Sequence, residues 1–228
     1  MNDTRHAALV ETDRAELRER IGLALDVFHT VARGSDPQAV PARSLWNVGQ
    51  VVAHVLTVAH RYQHLARGED FRRAARPREL DAINQTELEA AKAPVPELLE
   101  QLSAIVPEID RYFDSLTEAG PAMTFHGGAQ VSGITAQTNW LGELLLHGDD
   151  IARAARVPWN LEERDMLLVA RGLMEIGRGY VRQGIPADTN ACYAFQVPGA
   201  LPYITHVRGG NAEIRPRRPE DRPDADRR

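Results

Sequence analysis

From Asp13 to Gln183 the chain keeps returning apolar side chains at helical spacing, and this periodicity restricts the fold more than any other feature. Asp13 followed by Glu16 reads as a capping-box start. Leu17, Ile21, Leu25, Phe28 and Ala32 then line one face, with Arg14, Arg18, Glu19 and Asp26 on the other, up to about Gly34. The two prolines between Gly34 and Leu45 make a loop. Asn47 and Gln50 repeat the cap pattern and predict a second helix from about Val48 to Arg67, stopped by Gly68. A third helical region covers roughly Ala82 to Lys92. Pro94 and Pro96 suit the first turn of a restart, which Leu98, Leu102, Ile105, Ile109 and Phe113 carry to about Leu116. Glu118 to Gly133 reads as a glycine-rich loop. The next helix spans about Thr135 to Ala155, and another runs from the Asn160/Glu163 box to about Gln183.

Long amphipathic helices joined by short breaks predict a mainly α protein built as an antiparallel bundle. After Gly184 the character changes. CYAFQV, PYITHV and NAEIRP are short β-favouring runs separated by proline and glycine. The closing RPRRPEDRPDADRR is nearly devoid of apolar residues and is expected to be disordered. The expected division is a helical bundle over 1–160, a short α+β segment over 161–215 and a tail over 216–228.

Bulk properties narrow the function. A net charge of -5 and a pI near 5.9 repel phosphate backbones, so nucleic acid is not an expected partner. No stretch approaches the roughly 18 apolar residues of a membrane span. The N-terminal MNDTRHAALVETDRAELRER lacks the apolar core of a leader. Cys192 is the single cysteine, which excludes an internal disulfide and a cysteine-cluster metal site. A cytoplasmic location is the resulting expectation.

The chemistry concentrates on two helices. Assigning about 100° per residue puts Trp140, Leu144, Ile151, Ala154 and Ala155 on one arc, and Glu143 and His147 fall inside it. Their i, i+4 spacing stacks both side chains on one face. A buried charge without a partner costs several kcal/mol. A divalent cation removes that cost by accepting carboxylate and imidazole together, and a plain Glu–His hydrogen bond is the rival explanation. On the second helix, His54 sits at the margin of the apolar arc of Val51, Val55, Val58, Ala59, Tyr62 and Leu65, placed to meet Glu143 and His147 across a bundle. His60 and His64 fall on the polar face. Three protein ligands from two helices leave coordination positions open, as catalytic sites do.

Other candidates surround this trio. Asp150, one turn beyond His147, could orient an imidazole or be a surface charge. His126, in the loop FHGGAQ, could act as a general acid or base or be an exposed loop residue. Trp46 could line a pocket or staple its helix start. Arg61, close to His54 on the helical wheel, could bind a substrate carboxylate or be a solvated surface arginine. Cys192 reads as a small buried hydrophobe.

Two segments resemble a known family. WNVGQVVAHV resembles the tryptophan-to-histidine segment of the DinB-like superfamily, in its mycothiol-dependent maleylpyruvate isomerase branch. GELLLHGDDIARAARVP resembles the second signature of that branch, and the likeness runs in order and spacing from about Arg14 to Pro158. The resemblance implies an up-down-down-up four-helix bundle, and a metal, usually zinc, on residues matching His54, Glu143 and His147. It also implies a thiol, mycothiol, as co-substrate of an isomerase or S-transferase acting on a small electrophile. The strands after Gly184 resemble the start of a sterol-carrier-protein-like domain, cut short here. Two departures stand out: Arg43, Ser44 and Leu45 replace a Cys-Pro-Gly run before Trp46, and Gln50 replaces an acidic residue. Maleylpyruvate itself is therefore not the expected substrate. Two other functions fit the same residues: a thiol-independent metal-dependent hydrolase, lyase or cyclase, and a non-catalytic metal or small-molecule binding protein. A homodimer through exposed helix faces is compatible with either.

Overall fold

The Asp13 carboxylate accepts a hydrogen bond from the Glu16 N–H at 2.9 Å and starts α1 (Arg14–Arg33). In the computed structural model, which describes residues 9–42, 44–181, 186, 188–209 and 211–227, Asn47 and Gln50 close a reciprocal capping box that starts α2 (Val48–Ala66). The other helices are α3 (Pro77–Ala90), α4 (Val95–Ser115), α5 (Gly133–Ala155) and α6 (Glu163–Val181). Gln183 and Gly184, where the last helix was expected to end, lie outside the described residues.

The expected mainly α bundle is what forms. α1 packs chiefly on α5 and α2 on α4, while α2 also meets α5. The core between them holds Leu17, Phe28, Leu56, Leu102, Trp140 and Leu144, all shielded from solvent. α3 lies over α2, and α6 covers α5. The α5–α6 seam is close because small residues line it. A Cβ on Gly172 would stand 2.4 Å from Thr138 Oγ1, and one on Gly142 would stand 3.3 Å from Val169.

Three differences from expectation have local causes. α3 begins at Pro77, five residues earlier than the apolar period shows. The proline takes the first turn, where no N–H is needed, and the Glu79 carboxylate accepts from the N–H groups of Ala75 and Arg76. The segment expected as a loop contains a two-residue hairpin, β1 (Met123–Thr124) with β2 (Gln130–Val131). It is turned by Gly127 and Gly128, whose φ of 67° and 72° suit glycine. Third, the end of the chain, read as disordered, carries a short strand.

That strand is β6 (Ala225–Arg227), parallel to β3 (Asn190–Phe195). β3, β4 (Tyr203–Arg208) and β5 (Asn211–Pro216) form the antiparallel part of a sheet ordered β5-β4-β3-β6. The Asp224 carboxylate accepts from the Cys192 N–H at 2.7 Å, and Arg215 pairs with Asp221 at 2.6 Å. These polar contacts hold a segment whose composition offers almost nothing to a core. The sheet reaches the bundle through β5 and α6. Among the described residues no helix is long and apolar enough to cross a membrane.

α1 is tied to α6 by Arg164, which donates from Nε to Glu16 at 2.7 Å. That hydrogen bond holds the Glu16 carboxyl down at about 2, against the opposing effect of burial. A carboxyl depressed in the folded state contributes stability above its unfolded value, near 4.3, and loses it as pH falls through the folded value. Arg164→Met is therefore expected to lower Tm by a few degrees at pH 7. The gap to wild type should narrow as thermal melts are repeated from about pH 4.5 toward 2. A gap that stays constant over that range would refute the assignment.

Candidate metal centre and adjoining cavity

The second turn of α2 carries His54 into the bundle, where it is 5% exposed. The middle of α5 brings Glu143 and His147 to meet it. The Glu143 Oε2 lies 3.6 Å from His54 Nε2 and 3.4 Å from His147 Nε2, and the ligating atoms of the three residues all lie within 4.8 Å of one another. A charge-assisted N–H···O bond closes to about 2.7–2.9 Å, so these contacts are long for direct hydrogen bonds. They match the edge of a tetrahedron, about 3.4 Å, around an ion bound at about 2.0–2.1 Å. The His54–His147 side is the one left to tighten. Ring centroids there are 5.0 Å apart and the planes nearly perpendicular, at 84°.

The remaining imidazole atoms fit the same reading. Nδ1 of His54 and Nδ1 of His147 are both buried without a hydrogen-bond partner. Two imidazoles, one buried and one mostly so, with idle buried Nδ1 atoms and both Nε2 atoms turned on one carboxylate, are poorly explained as a hydrogen-bonded cluster. Asp150, 44% exposed at its side chain, holds Oδ2 3.7 Å from His147 Nδ1, near enough to close on it with a small rotation. The Trp46 ring packs on His54 with centroids 4.8 Å apart. Burial opposes ionisation of Glu143, yet the two imidazoles beside it outweigh that and hold its carboxyl well below the usual range. Burial likewise disfavours charge on His147, while Asp150 and Glu143 raise it to about 9.

Against His54 and Glu143 opens a cavity of ≈ 210 Å³. Its walls are mostly apolar, with Val58, Phe71, Met123, Phe125 and Ile176 among them. Its polar groups come from Arg61, Asn84, His126 and Asn139. Arg61 is 8% exposed and His126 only 1%, so neither is the solvated surface residue that was one reading of each. Arg61 is buried because α3 covers it. Arg61 Nε and Nη2 both donate to Glu87 Oε2, at 2.9 and 2.5 Å, and Nη2 also donates to Asn84 Oδ1 at 2.6 Å. His126 is buried because its glycine turn folds back against Ala74. The Ala74 N–H donates to His126 Nδ1 at 3.0 Å. Burial, with the charges of Arg61 and Arg73, lowers its imidazole to about 4, so it is neutral near pH 7.

The structure thus gathers His54, Glu143 and His147 and sets Asp150 and Trp46 behind them. Trp46 is absent from the residues lining the cavity and contacts His54 instead. Arg61 and His126 stand together in the cavity wall. Asn84 and Glu87 lie within the helical region expected from about Ala82 to Lys92, but no local pattern marks them as partners of Arg61. Of the two polar-face histidines, His64 pairs with Glu69 at 2.6 Å, and burial lowers the imidazole of His60. Cys192 is partly exposed on β3 rather than buried. Burial and the carboxylates of Asp221 and Asp224 raise its thiol, which disfavours a nucleophilic thiolate. Arg43, one of the departures before Trp46, lies outside the described residues.

Bundle and trio together define a helical protein with a candidate mononuclear metal centre facing a cavity of small-molecule size. The chain belongs to the family described as the mycothiol maleylpyruvate isomerase N-terminal domain, which it matches over residues 30–152. That span contains all seven candidate residues. A crystal structure of a mycothiol-dependent maleylpyruvate isomerase is similar in fold, with a TM-score of 0.52 and 16% identity over 82% of this chain and 78% of that one. No curated protein matches the chain at a significant level.

Proposed function

We propose that the protein is a metal-dependent enzyme that uses a low-molecular-weight thiol, mycothiol in the first instance, as an isomerase or S-transferase of a small electrophilic metabolite. The observation that carries this reading is the convergence of His54 Nε2 and His147 Nε2 on Glu143 Oε2 at the wall of an apolar cavity, in a chain of this family. A divalent ion, zinc by ligand type, would be held by His54, Glu143 and His147, and would supply Lewis acidity that keeps a thiol ionised at neutral pH. Asp150 would fix the His147 ring, and Trp46 would limit rotation of His54. The apolar wall would exclude water from a reactive adduct. Arg61 and His126 would touch the substrate from the opposite side. His126 would do so as a neutral N–H donor, because its Nδ1 is already occupied by the Ala74 N–H. The expected setting is a cytoplasmic one, where such thiols are kept reduced.

Titration calorimetry of mycothiol into the metal-loaded protein tests this, together with turnover of 1-chloro-2,4-dinitrobenzene followed by absorbance. Saturable thiol binding that disappears after chelator treatment is expected, with conjugation above the uncatalysed rate. Metal-loaded protein that neither binds mycothiol nor accelerates conjugation would sink the thiol reading. An enzyme that activates water would then become the better description of the same site.

A further inference from the structure

The contact between Arg61 and His126 is a meeting of two donors. Arg61 Nη1 lies 3.3 Å from His126 Nε2. A guanidinium nitrogen can only donate. His126 Nδ1 accepts from the Ala74 N–H at 3.0 Å, so the proton of the neutral ring sits on Nε2. The alternative, with both ring nitrogens accepting, would require an imidazolate. Two N–H groups of residues more than nine-tenths buried therefore face one point in the cavity wall, and no acceptor bridges them among the described residues. Arg61's other nitrogens are already engaged by Glu87 and Asn84, which leaves Nη1 as its free donor.

We propose that Arg61 and His126 form an anion subsite that binds a carboxylate of the substrate, with one oxygen shared between Arg61 Nη1 and His126 Nε2. This rests on reading the cavity as the substrate pocket of the proposed enzyme. Charge selects a carboxylate over a phosphate. Glu87 already balances Arg61, and His126 is neutral, so the subsite offers directed N–H groups without surplus charge for a dianion. The mostly apolar remainder of the cavity suits a short hydrocarbon or unsaturated body attached to that carboxylate. His126 is then a specificity-determining donor.

The test is titration calorimetry of benzoate, benzamide and inorganic phosphate into the full-length protein after chelator treatment, so that a carboxylate cannot bind through metal. Benzoate is expected to bind at least tenfold more tightly than benzamide, and phosphate not to compete with it. His126→Asn keeps an oxygen for the Ala74 N–H and removes the Nε2 donor, and it should weaken benzoate about tenfold at unchanged Tm. His126→Gln, which can return an N–H near that point, should restore part of the loss. Equal binding of benzoate and benzamide would mean that the donors normally share a water, and would overturn the proposal. So would phosphate competition, benzoate affinity unaffected by His126→Asn, or no binding of benzoate at all. Because metal is absent throughout, these outcomes do not depend on the metal reading. A chain that never binds metal could still pass, and a confirmed metalloenzyme could still fail.

Discussion

Glu143→Ala is expected to purify without metal, where the wild type carries about one equivalent per chain. Glu143 supplies the only charged ligand of the three, and both Nε2 atoms turn toward its Oε2. Without it, two imidazoles on different helices remain, one of them partly exposed, and two neutral ligands hold a divalent cation poorly. Removing a group that merely orients a ligand costs about 10–100-fold in affinity. Losing the carboxylate itself should therefore exceed about a hundredfold. Elemental analysis after gel filtration reads this directly. Asp150→Asn serves as the graded comparison: it should weaken binding by about 10–100-fold while leaving detectable metal. Full metal content in Glu143→Ala would place the ion elsewhere and remove the basis for thiol activation.

The second large effect is on stability. Trp140 is 1% exposed on α5, one turn before Glu143. Its ring lies edge-on to Tyr62 at 6.2 Å, and Tyr62 packs edge-on to Phe113 at 5.1 Å, so three helices meet through these rings. Tyr62 also donates to the Ala136 carbonyl at 3.0 Å and accepts from Asn139 Nδ2 at 3.1 Å, which fixes the cluster in place. Truncating a buried tryptophan to alanine typically costs about 3–5 kcal/mol. For a chain of this size that corresponds to a fall in Tm of roughly 6–20 °C. Thermal melts of Trp140→Ala beside wild type, both metal-free, measure it without interference from bound metal. A fall under a few degrees would mean that the α2–α5 contact is not the one that holds Glu143 in register.

The bundle was legible because helical spacing and caps are local signals. Asp13 with Glu16, and Asn47 with Gln50, fix helix starts within a few residues, and the trio follows from two helical faces that have to meet. Pro77 shows where this fails. Its turn holds no apolar period, so α3 begins earlier than the pattern indicates. The covering of Arg61 by Glu87 and Asn84 goes unseen for another reason: both lie in the expected helix, but helical spacing does not report which helix packs over which. Arg61 and His126 look like surface residues because nothing local reports that another segment lies over them. His126 depends on a glycine turn that returns it to Ala74, a contact 52 positions away in sequence. Composition misreads the tail for a related reason. β6 is held by pairing to β3 and by ion pairs such as Arg215 with Asp221, which apolar content does not register. The orphaned Nδ1 atoms of His54 and His147 are a property of the folded geometry alone.

X-ray absorption on the purified wild-type protein, paired with anomalous diffraction at the same metal edge, tests the metal centre most directly. The expected result is a single ion per chain, with nitrogen and oxygen ligands at about 2.0–2.2 Å and an anomalous peak between His54 Nε2, His147 Nε2 and Glu143. A sulfur ligand should enter the spectrum when mycothiol is added. No ion after reconstitution with zinc, or an ion bound away from these three residues, would contradict the metal centre and the thiol chemistry built on it.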